Sequence, residues 1–315
     1  MRVVSAEEID RVLAAPGLVD ALSDAFRGGI AAPTRHHHGV ERPDGRATLL
    51  LMPAWHEADG YLGVKSVTVF PGNGARSLPS VMGTYLLMDG ATGRPVAALD
   101  GTRLTLWRTA AASALAARHL ARADAARMVV VGAGALVPYL IRAHGAERPI
   151  RSVGLWARRP DAARALAERL AGEGLPVEAV TDLEAAVREA DLVTCATLSR
   201  APLVEGAWLK PGSHLDLVGA FDLSMREADD AALRRAEIHV DTPAALAEGG
   251  DVALGLASGA IGEGDVRGDL AGLCRGEVAG RASPGAITLF KSVGASLEDL
   301  AAATLAWRRL SGEAA

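Results

Sequence analysis

Two cysteines, Cys195 and Cys274, are all that 315 residues contain. They stand far apart with no CxxC partner, which excludes a disulfide framework and points to a reducing compartment. No run of about 18 apolar residues occurs, so no membrane-spanning helix is expected. No strongly basic block occurs either, and the formal net charge is -5. Nucleic-acid binding through a phosphate-tracking patch is therefore not expected. The opening residues, MRVVSAEEIDRVL, lack the apolar core of a secretory signal, and the expected location is cytoplasmic. What is present is the composition of a soluble globular protein, 50% hydrophobic and 23% charged. Such a chain has enough length for one large domain or two ordinary ones.

Residues 5–29 read as two short helices. Ser5 followed by Glu8 forms a capping box, and Gly28-Gly29 ends the segment. RATLLLMPAW, YLGVKSVTVFPG and SVMGTYLLMDGATGRPVAALDG read as strands. Pro43-Asp44-Gly45 and Asp89-Gly90 with Gly93 supply turn chemistry, which predicts an antiparallel sheet. A long alanine-rich helix follows over 102–122. Strands then alternate with helices from RMVVVGAG to EIHVDT, which predicts a parallel, doubly wound sheet. SLEDLAAATLAWRRL reads as a final helix. The expected fold is α/β: a Rossmann-type parallel sheet over 121–286 inserted into an α+β domain over 1–120, to which 287–315 returns.

The third glycine of a dinucleotide fingerprint is missing, since Val137 occupies its place. Gly132-Ala133-Gly134 nonetheless follows a strand and precedes a helix. Gly132 permits the tight turn, Gly134 lets backbone approach a pyrophosphate, and the helix N-terminus offers free N–H groups. A glycine turn without a nucleotide is the plainer alternative. Missing too is an acidic residue after the second strand, where ribose hydroxyls are held for NAD. Arg158 and Arg159 stand there instead, which suits a 2′-phosphate and predicts NADPH, with NADH possible. Solvated loop charges are the alternative.

Candidates for chemistry are few. Lys65 lies inside an apolar strand, where a buried lysine is costly unless paired or functional; a lysine snorkelling from a strand edge is the alternative. Arg108 sits among small residues that leave room to reach across a cleft, or is an ordinary helix-surface charge. Asp222 follows the strand HLDLVGA, where ligands of open sheets gather, or caps the next helix. In 33-PTRHHHGV-40, alternation on a strand sets His36 and His38 on one side and Arg35 and His37 on the other. At most two histidines then face one site, and zinc needs about four ligands. No metal is expected.

Several stretches together resemble the ornithine cyclodeaminase/mu-crystallin family: 64-VKSVTVFPGN-73, 78-LPSVMGTYLLMDGATGRPVAALDGT-102, 107-WRTAAASALAARHLAR-122, 130-VVGAGA-135, 212-GSHLDLVGAFDLSMREADD-230, 248-EGGD-251 and 287-ITLFKSVGASLEDLAAA-303. With 33-PTRHHHGV-40, 50-LLMPAW-55 and the GAGALVPYLIRAH helix, the chain is most similar to the bacterial cyclic-ketimine reductases of that family. The resemblance implies reduction of Δ1-pyrroline-2-carboxylate and Δ1-piperideine-2-carboxylate to L-proline and L-pipecolate. It implies a homodimer whose first domains join their sheets into a closed barrel. It also implies that Arg35, Lys65 and Arg108 surround the carboxylate and reacting carbon of a cyclic imino acid, with Asp222 or Lys65 as proton source. The cofactor set it implies comprises Thr109, Gly132, Gly134, Ala135, Leu136, Arg158, Arg159, Ala196, Thr197, Val218, Gly219, Lys291, Ser292 and Gly294.

Two departures separate the chain from true cyclodeaminases. Leu50 stands where they carry an acidic residue, and Phe221 where they carry a catalytic aspartate. Cyclodeamination needs a base that simple imine reduction does not. An ornithine cyclodeaminase or an amino-acid dehydrogenase of the family, or a non-catalytic NADPH-dependent ligand-binding protein, stays open as an alternative.

Overall fold

The computed structural model describes residues 1–14, 16–42, 45–58 and 60–313. The expected turn residues Pro43 and Asp44 lie outside the described residues. The chain divides into two compact units, Met1–Thr109 with Ala295–Ala315, and Ala110–Gly294.

The first unit holds a seven-stranded sheet. Its strands are β1 (Arg2–Val4), β2 (Ile30–Ala31), β3 (His36–Val40), β4 (Ala47–His56), β5 (Tyr61–Val69), β6 (Val81–Asp89) and β7 (Pro95–Asp100). β4 to β7 form an antiparallel meander, and β2 and β3 both pair with β4. The hairpin expected at Asp89 forms because Asp89 Oδ1 accepts from the backbone N–H of Thr92 and Gly93 adopts φ 69°. Helices α1 (Ala6–Leu13), α2 (Leu18–Arg27), the start of α3 (Gly101–Leu120) and the last helix, α11 (Ser296–Ser311), complete the unit. The Ser5–Glu8 capping box is present at α1. α11 packs against β4, β5 and β6.

Strand alternation separates two faces of this sheet. Met52, Lys65, Tyr85 and Leu99 stand side by side in register across four strands and are all buried. Burying each large apolar side chain of that face contributes about 1.5–3 kcal/mol. On the opposite face, the rows Trp55–Leu62–Met88 and Pro53–Val64–Leu86–Ala98 are half-buried or exposed.

The second unit holds an eight-stranded sheet, every pair of it parallel, in the order β10-β9-β8-β11-β12-β15-β13-β14. The strands are β8 (Arg127–Val131), β9 (Ser152–Trp156), β10 (Val177–Ala179), β11 (Leu192–Cys195), β12 (His214–Leu217), β13 (Ala236–Val240), β14 (Val266–Asp269) and β15 (Ile287–Lys291). The helices are α4 (Val137–Glu147), α5 (Pro160–Gly172), α6 (Leu183–Glu189), α7 (Asp230–Arg235), α8 (Ala245–Glu248), α9 (Gly250–Ala257) and α10 (Leu270–Arg275). β8 reads as a continuous apolar run because both its faces are covered. Met128 and Val130 pack with α4 and α5, whereas Val129 and Val131 pack with α6 and α7. The sheet is thus doubly wound, as expected.

Two boundaries differ from the sequence-based expectation. The first falls within α3, at Thr109, because the lower part of that helix covers the parallel sheet. The second falls at Ala295, because β15 pairs with β12 and β13 inside the second sheet. Residues 287–294 therefore belong to the second unit. No helix among the described residues is long and apolar enough to cross a membrane.

Candidate active site

The order in which strands are added to the second sheet reverses between β8 and β11: β9 and β10 lie to one side of β8, β11 and β12 to the other. Such a switch point opens a crevice beyond the carboxyl ends of the strands. A cavity of about 290 Å³ lies there, lined by residues that include Gly132, Gly134, Arg158, Arg159, Ala196 and Thr197. Gly132 adopts φ 130°, and a Cβ on it would stand 2.6 Å from the carbonyl oxygen of Ala196. Two loops can approach this closely only over a glycine. Gly134 is exposed, and a Cβ there would meet nothing within 4 Å. The space above its backbone is therefore open.

α4 begins at Val137 with no side-chain cap, but its start does not offer the free N–H groups expected: Val137 donates to Gly134 O, Tyr139 donates to Leu136 O, and Pro138 has no N–H. Ala135 and Leu136 lie in the turn before it. Arg158 and Arg159 are exposed. No acidic side chain is among the described residues lining the cavity. A dinucleotide fits these features: a tight glycine turn with open space above Gly134, and two cations at the second strand.

A buried carboxylate holds the loops beside this cavity. Glu227 is fully buried. Its Oε1 accepts from the N–H (2.7 Å) and hydroxyl (2.8 Å) of Thr197, and its Oε2 accepts from the N–H groups of Gly219 (2.7 Å) and Ala220 (3.2 Å). The loops after β11 and β12 are thereby tied to one side chain. They are also close: a Cβ on Gly219 would stand 2.1 Å from Thr197 O. Val218 is buried and donates its N–H to Cys195 O. Burial pushes the Glu227 carboxyl up to about 7, the Lys291 charge opposes that rise and the Asp251 charge adds to it.

Lys291 turns inward. It is fully buried, with Nζ 3.3 Å from Asp251 Oδ2. Asp251 Oδ1 accepts from the N–H groups of Glu227 and Ala228. Asp241 Oδ2 accepts from the N–H groups of Val293 and Gly294, which fixes the segment after β15. Ser292 is buried, with its N–H on Leu217 O. Lys291, Ser292 and Gly294, like Val218, Gly219, Ala135 and Leu136, are not among the residues that line the cavity.

The first unit gathers a different cluster. Lys65 on β5 is 2% exposed and Arg108 on α3 is 6% exposed. Both meet carboxylates from α11. Lys65 Nζ lies 2.8 Å from both Asp299 oxygens and 3.4 Å from Thr105 Oγ1. Arg108 donates from Nε to Asp299 Oδ1 (2.9 Å) and from Nη1 to Glu298 Oε2 (2.8 Å). Burial, and next the Arg108 charge, bring the Lys65 ammonium down from 10.5 to about 8, against the pull of Asp299. Tyr85, opposite Lys65 on β6, is pushed well above 10.0 by burial and then by Asp299.

Sequence reading found Lys65 and Arg108 but not Glu298 and Asp299. The signal was a pair of adjacent acids in a helix otherwise rich in alanine and leucine. First-turn acids are common at exposed helix starts, and that reading hides their burial.

The remaining candidates are placed as follows. Arg35 is half-buried and immediately precedes β3, whose His36 pairs with Leu51. His36, His37 and His38 are exposed, with the His36 and His38 rings on one side, 6.5 Å apart. Thr109 is half-buried on α3. Asp222 lies beyond β12, half-buried, its Oδ1 accepting from the N–H and hydroxyl of Ser224 (both 2.7 Å). It caps no helix, because Asp229 is the N-cap of α7.

The model of the ornithine cyclodeaminase/mu-crystallin family matches residues 2–314. A Δ1-pyrroline-2-carboxylate reductase of Paracoccus denitrificans is 43% identical over 291 residues, 92% of each chain. The structure of Thermococcus litoralis Δ1-pyrroline-2-carboxylate reductase in complex with NADH and L-proline superposes with a TM-score of 0.92 at 31% identity, covering 99% of each chain. An archaeal alanine dehydrogenase dimer with bound NAD superposes with a TM-score of 0.90 at 29% identity, covering 99% of this chain and 97% of the other.

Proposed function

The chain belongs to the ornithine cyclodeaminase/mu-crystallin family, and from that premise we propose an oxidoreductase that reduces the cyclic ketimines Δ1-pyrroline-2-carboxylate and Δ1-piperideine-2-carboxylate to L-proline and L-pipecolate with NADPH. The observation that carries this reading is the pair Lys65 and Arg108, buried against one shared carboxylate in the first unit. Arg35 and Arg108 hold the substrate carboxylate by charge-assisted hydrogen bonds, which suit a planar guanidinium. Lys65, brought to about 8, is still mainly protonated at neutral pH. It donates one proton to the imine nitrogen, and the iminium so formed accepts hydride at carbon. A bound NADPH supplies that hydride. Lys65, left neutral, regains its proton from solvent. Asp222 is the less favoured proton source, since its Oδ1 already accepts twice from Ser224.

The second unit holds the dinucleotide, with its pyrophosphate at the turn from Gly132 through Gly134 that precedes α4. Arg158 and Arg159 favour the 2′-phosphate of NADPH, supported by the acid-free lining of the cavity among the described residues. Because the Thermococcus litoralis structure contains NADH, both cofactors belong in the test. A homodimer forms through the outer face of the first sheet, where Trp55 and Met82 are exposed beside half-buried Leu62, Val64 and Leu86. Both cysteines are free and buried, which suits the cytoplasm.

The test is oxidation of NADPH or NADH with each imine, run beside an Arg108→Ala variant. Rapid oxidation lost in the variant is expected, with NADPH preferred. Tight NADPH binding with both imines untouched overturns the reading in favour of a binding protein. The likeness to the archaeal alanine dehydrogenase favours one rival, tested by pyruvate with ammonia as substrates.

A further inference from the structure

We infer that Asp299 and Glu298 are positioning residues, which hold Lys65 and Arg108 in place and keep Lys65 charged; the inference rests on the imine-reduction reading above. The geometry has three parts. Asp299 bridges the two cations, taking Lys65 Nζ at 2.8 Å and Arg108 Nε at 2.9 Å. Glu298 takes Nη1 of the same guanidinium at 2.8 Å. Both carboxylates are fully buried, so neither pairing is diluted by water.

Long cationic side chains lose much rotamer freedom when fixed. Here that loss is met inside the protein, before any substrate arrives. Arg108 has its Nε edge and Nη1 held by α11, which leaves its orientation set by the fold rather than by the ligand. Pre-set orientation of this kind lowers the cost of reaching a reactive geometry.

The charges make a second point. With Lys65 and Arg108 protonated and both acids ionised, the cluster sums to zero. Without Asp299 the two cations would repel across a desolvated space, and Lys65 would shed its proton more readily. The groups facing Lys65 are Thr105 and Arg108 from α3, Asp299 and Glu298 from α11, and Tyr85 from β6. Of these, the two acids oppose deprotonation of Lys65 and Arg108 promotes it.

The chain has three lysines, Lys65, Lys210 and Lys291, so lysine labelled with 13C at Cε gives three resonances, assigned by Lys65→Arg. In the full-length NADPH-bound protein, Asp299→Asn is expected to lower the Lys65 midpoint by about one pH unit or more. The alkaline limb of kcat for imine reduction moves down with it, and KM for the imine rises because Arg108 loses its charged Nε anchor. Glu298→Gln moves the Lys65 midpoint less and raises KM, because Arg108 loses its Nη1 anchor. A wild-type Lys65 midpoint in Asp299→Asn, or a uniform loss of activity with an unmoved pH profile, overturns the inference. Should Asp299→Asn not fold, Glu298→Gln decides: an unmoved midpoint with an unmoved KM overturns it. If the Lys65 midpoint moves but wild-type protein reduces neither imine, positioning stands and the functional reading fails.

Discussion

Each unit buries one lysine against one aspartate, and the surroundings give the two pairs opposite characters. In the first unit, Lys65 and Asp299 share their space with a second cation, Arg108. In the second, Lys291 and Asp251 share theirs with further acids, Glu227 and Asp241. Burial is the largest cause of the shift in both, since it disfavours the Lys65 ammonium and the Glu227 carboxylate alike. The neighbours then differ in sign: Arg108 lowers Lys65 further, and Asp251 raises Glu227 further. Lys65 accordingly falls to about 8 while Glu227 rises to about 7. The contrast teaches that an ion pair alone does not set a pKa. Burial and the further charges beside the pair do.

The largest effect that separates the two regions should come from removing each lysine. Lys291→Met leaves Asp251 with Glu227 and no cation, and is expected to cost about 3–5 kcal/mol in denaturant unfolding. Lys65→Met is expected to cost less, because Arg108 still pairs with Asp299. Equal losses would break the comparison.

The next effect is a pH dependence of opposite sign. Glu227 has a folded value of about 7, above its ordinary 4.5. Its contribution to stability is full below about 4.5 and is lost as pH rises through about 7, with a slope of at most about 1.4 kcal/mol per pH unit. Lys65 has a folded value of about 8, below its ordinary 10.5. Its contribution is full above about 10.5 and is lost as pH falls through about 8. Denaturant midpoints measured from pH 5 to 10 should lose the first slope in Glu227→Gln and the second in Lys65→Met.

A smaller effect concerns the cofactor. Glu227→Gln replaces an acceptor by an NH2 donor facing either Thr197 or Gly219, so NADPH affinity is expected to fall about tenfold, read by nicotinamide fluorescence. The same variant should leave the Lys65 resonance unmoved. The smallest effect is expected for Arg158→Ala, which should weaken NADPH severalfold and leave NADH unchanged. Equal loss of both would argue that Arg158 is a solvated charge.

Local signals carried most of the fold. Ser5 and Glu8 met as a capping box, Asp89 and Gly93 turned the β6–β7 hairpin, and alternating strands and helices gave the doubly wound sheet. These features are set by neighbours a few residues apart. The place of β15 was not legible. It is the last strand of its sheet in sequence yet lies between β12 and β13, an insertion that no local pattern encodes. Lys65 was legible as a lysine in an apolar strand, but its partners on α11 are 234 residues away. Lys291 was read toward a cofactor, and its pairing with Asp251, 40 residues away, had no local signal. Asp222 was read as a proton source or a cap, and its side chain bonds Ser224 two residues on. In each case the residue type was informative and the direction of the side chain was not.

The scarcity of lysine gives the protein a built-in reporter. Of its three lysines, Lys210 is 31% exposed and the other two are sealed, one in each unit. An amine-acylating reagent applied to the native chain should therefore mark Lys210 long before the others. Label appearing at Lys65 would record opening of the first unit, and label at Lys291 opening of the second. A mass spectrum taken along a denaturation series then reads the two units separately, with no probe added by mutation.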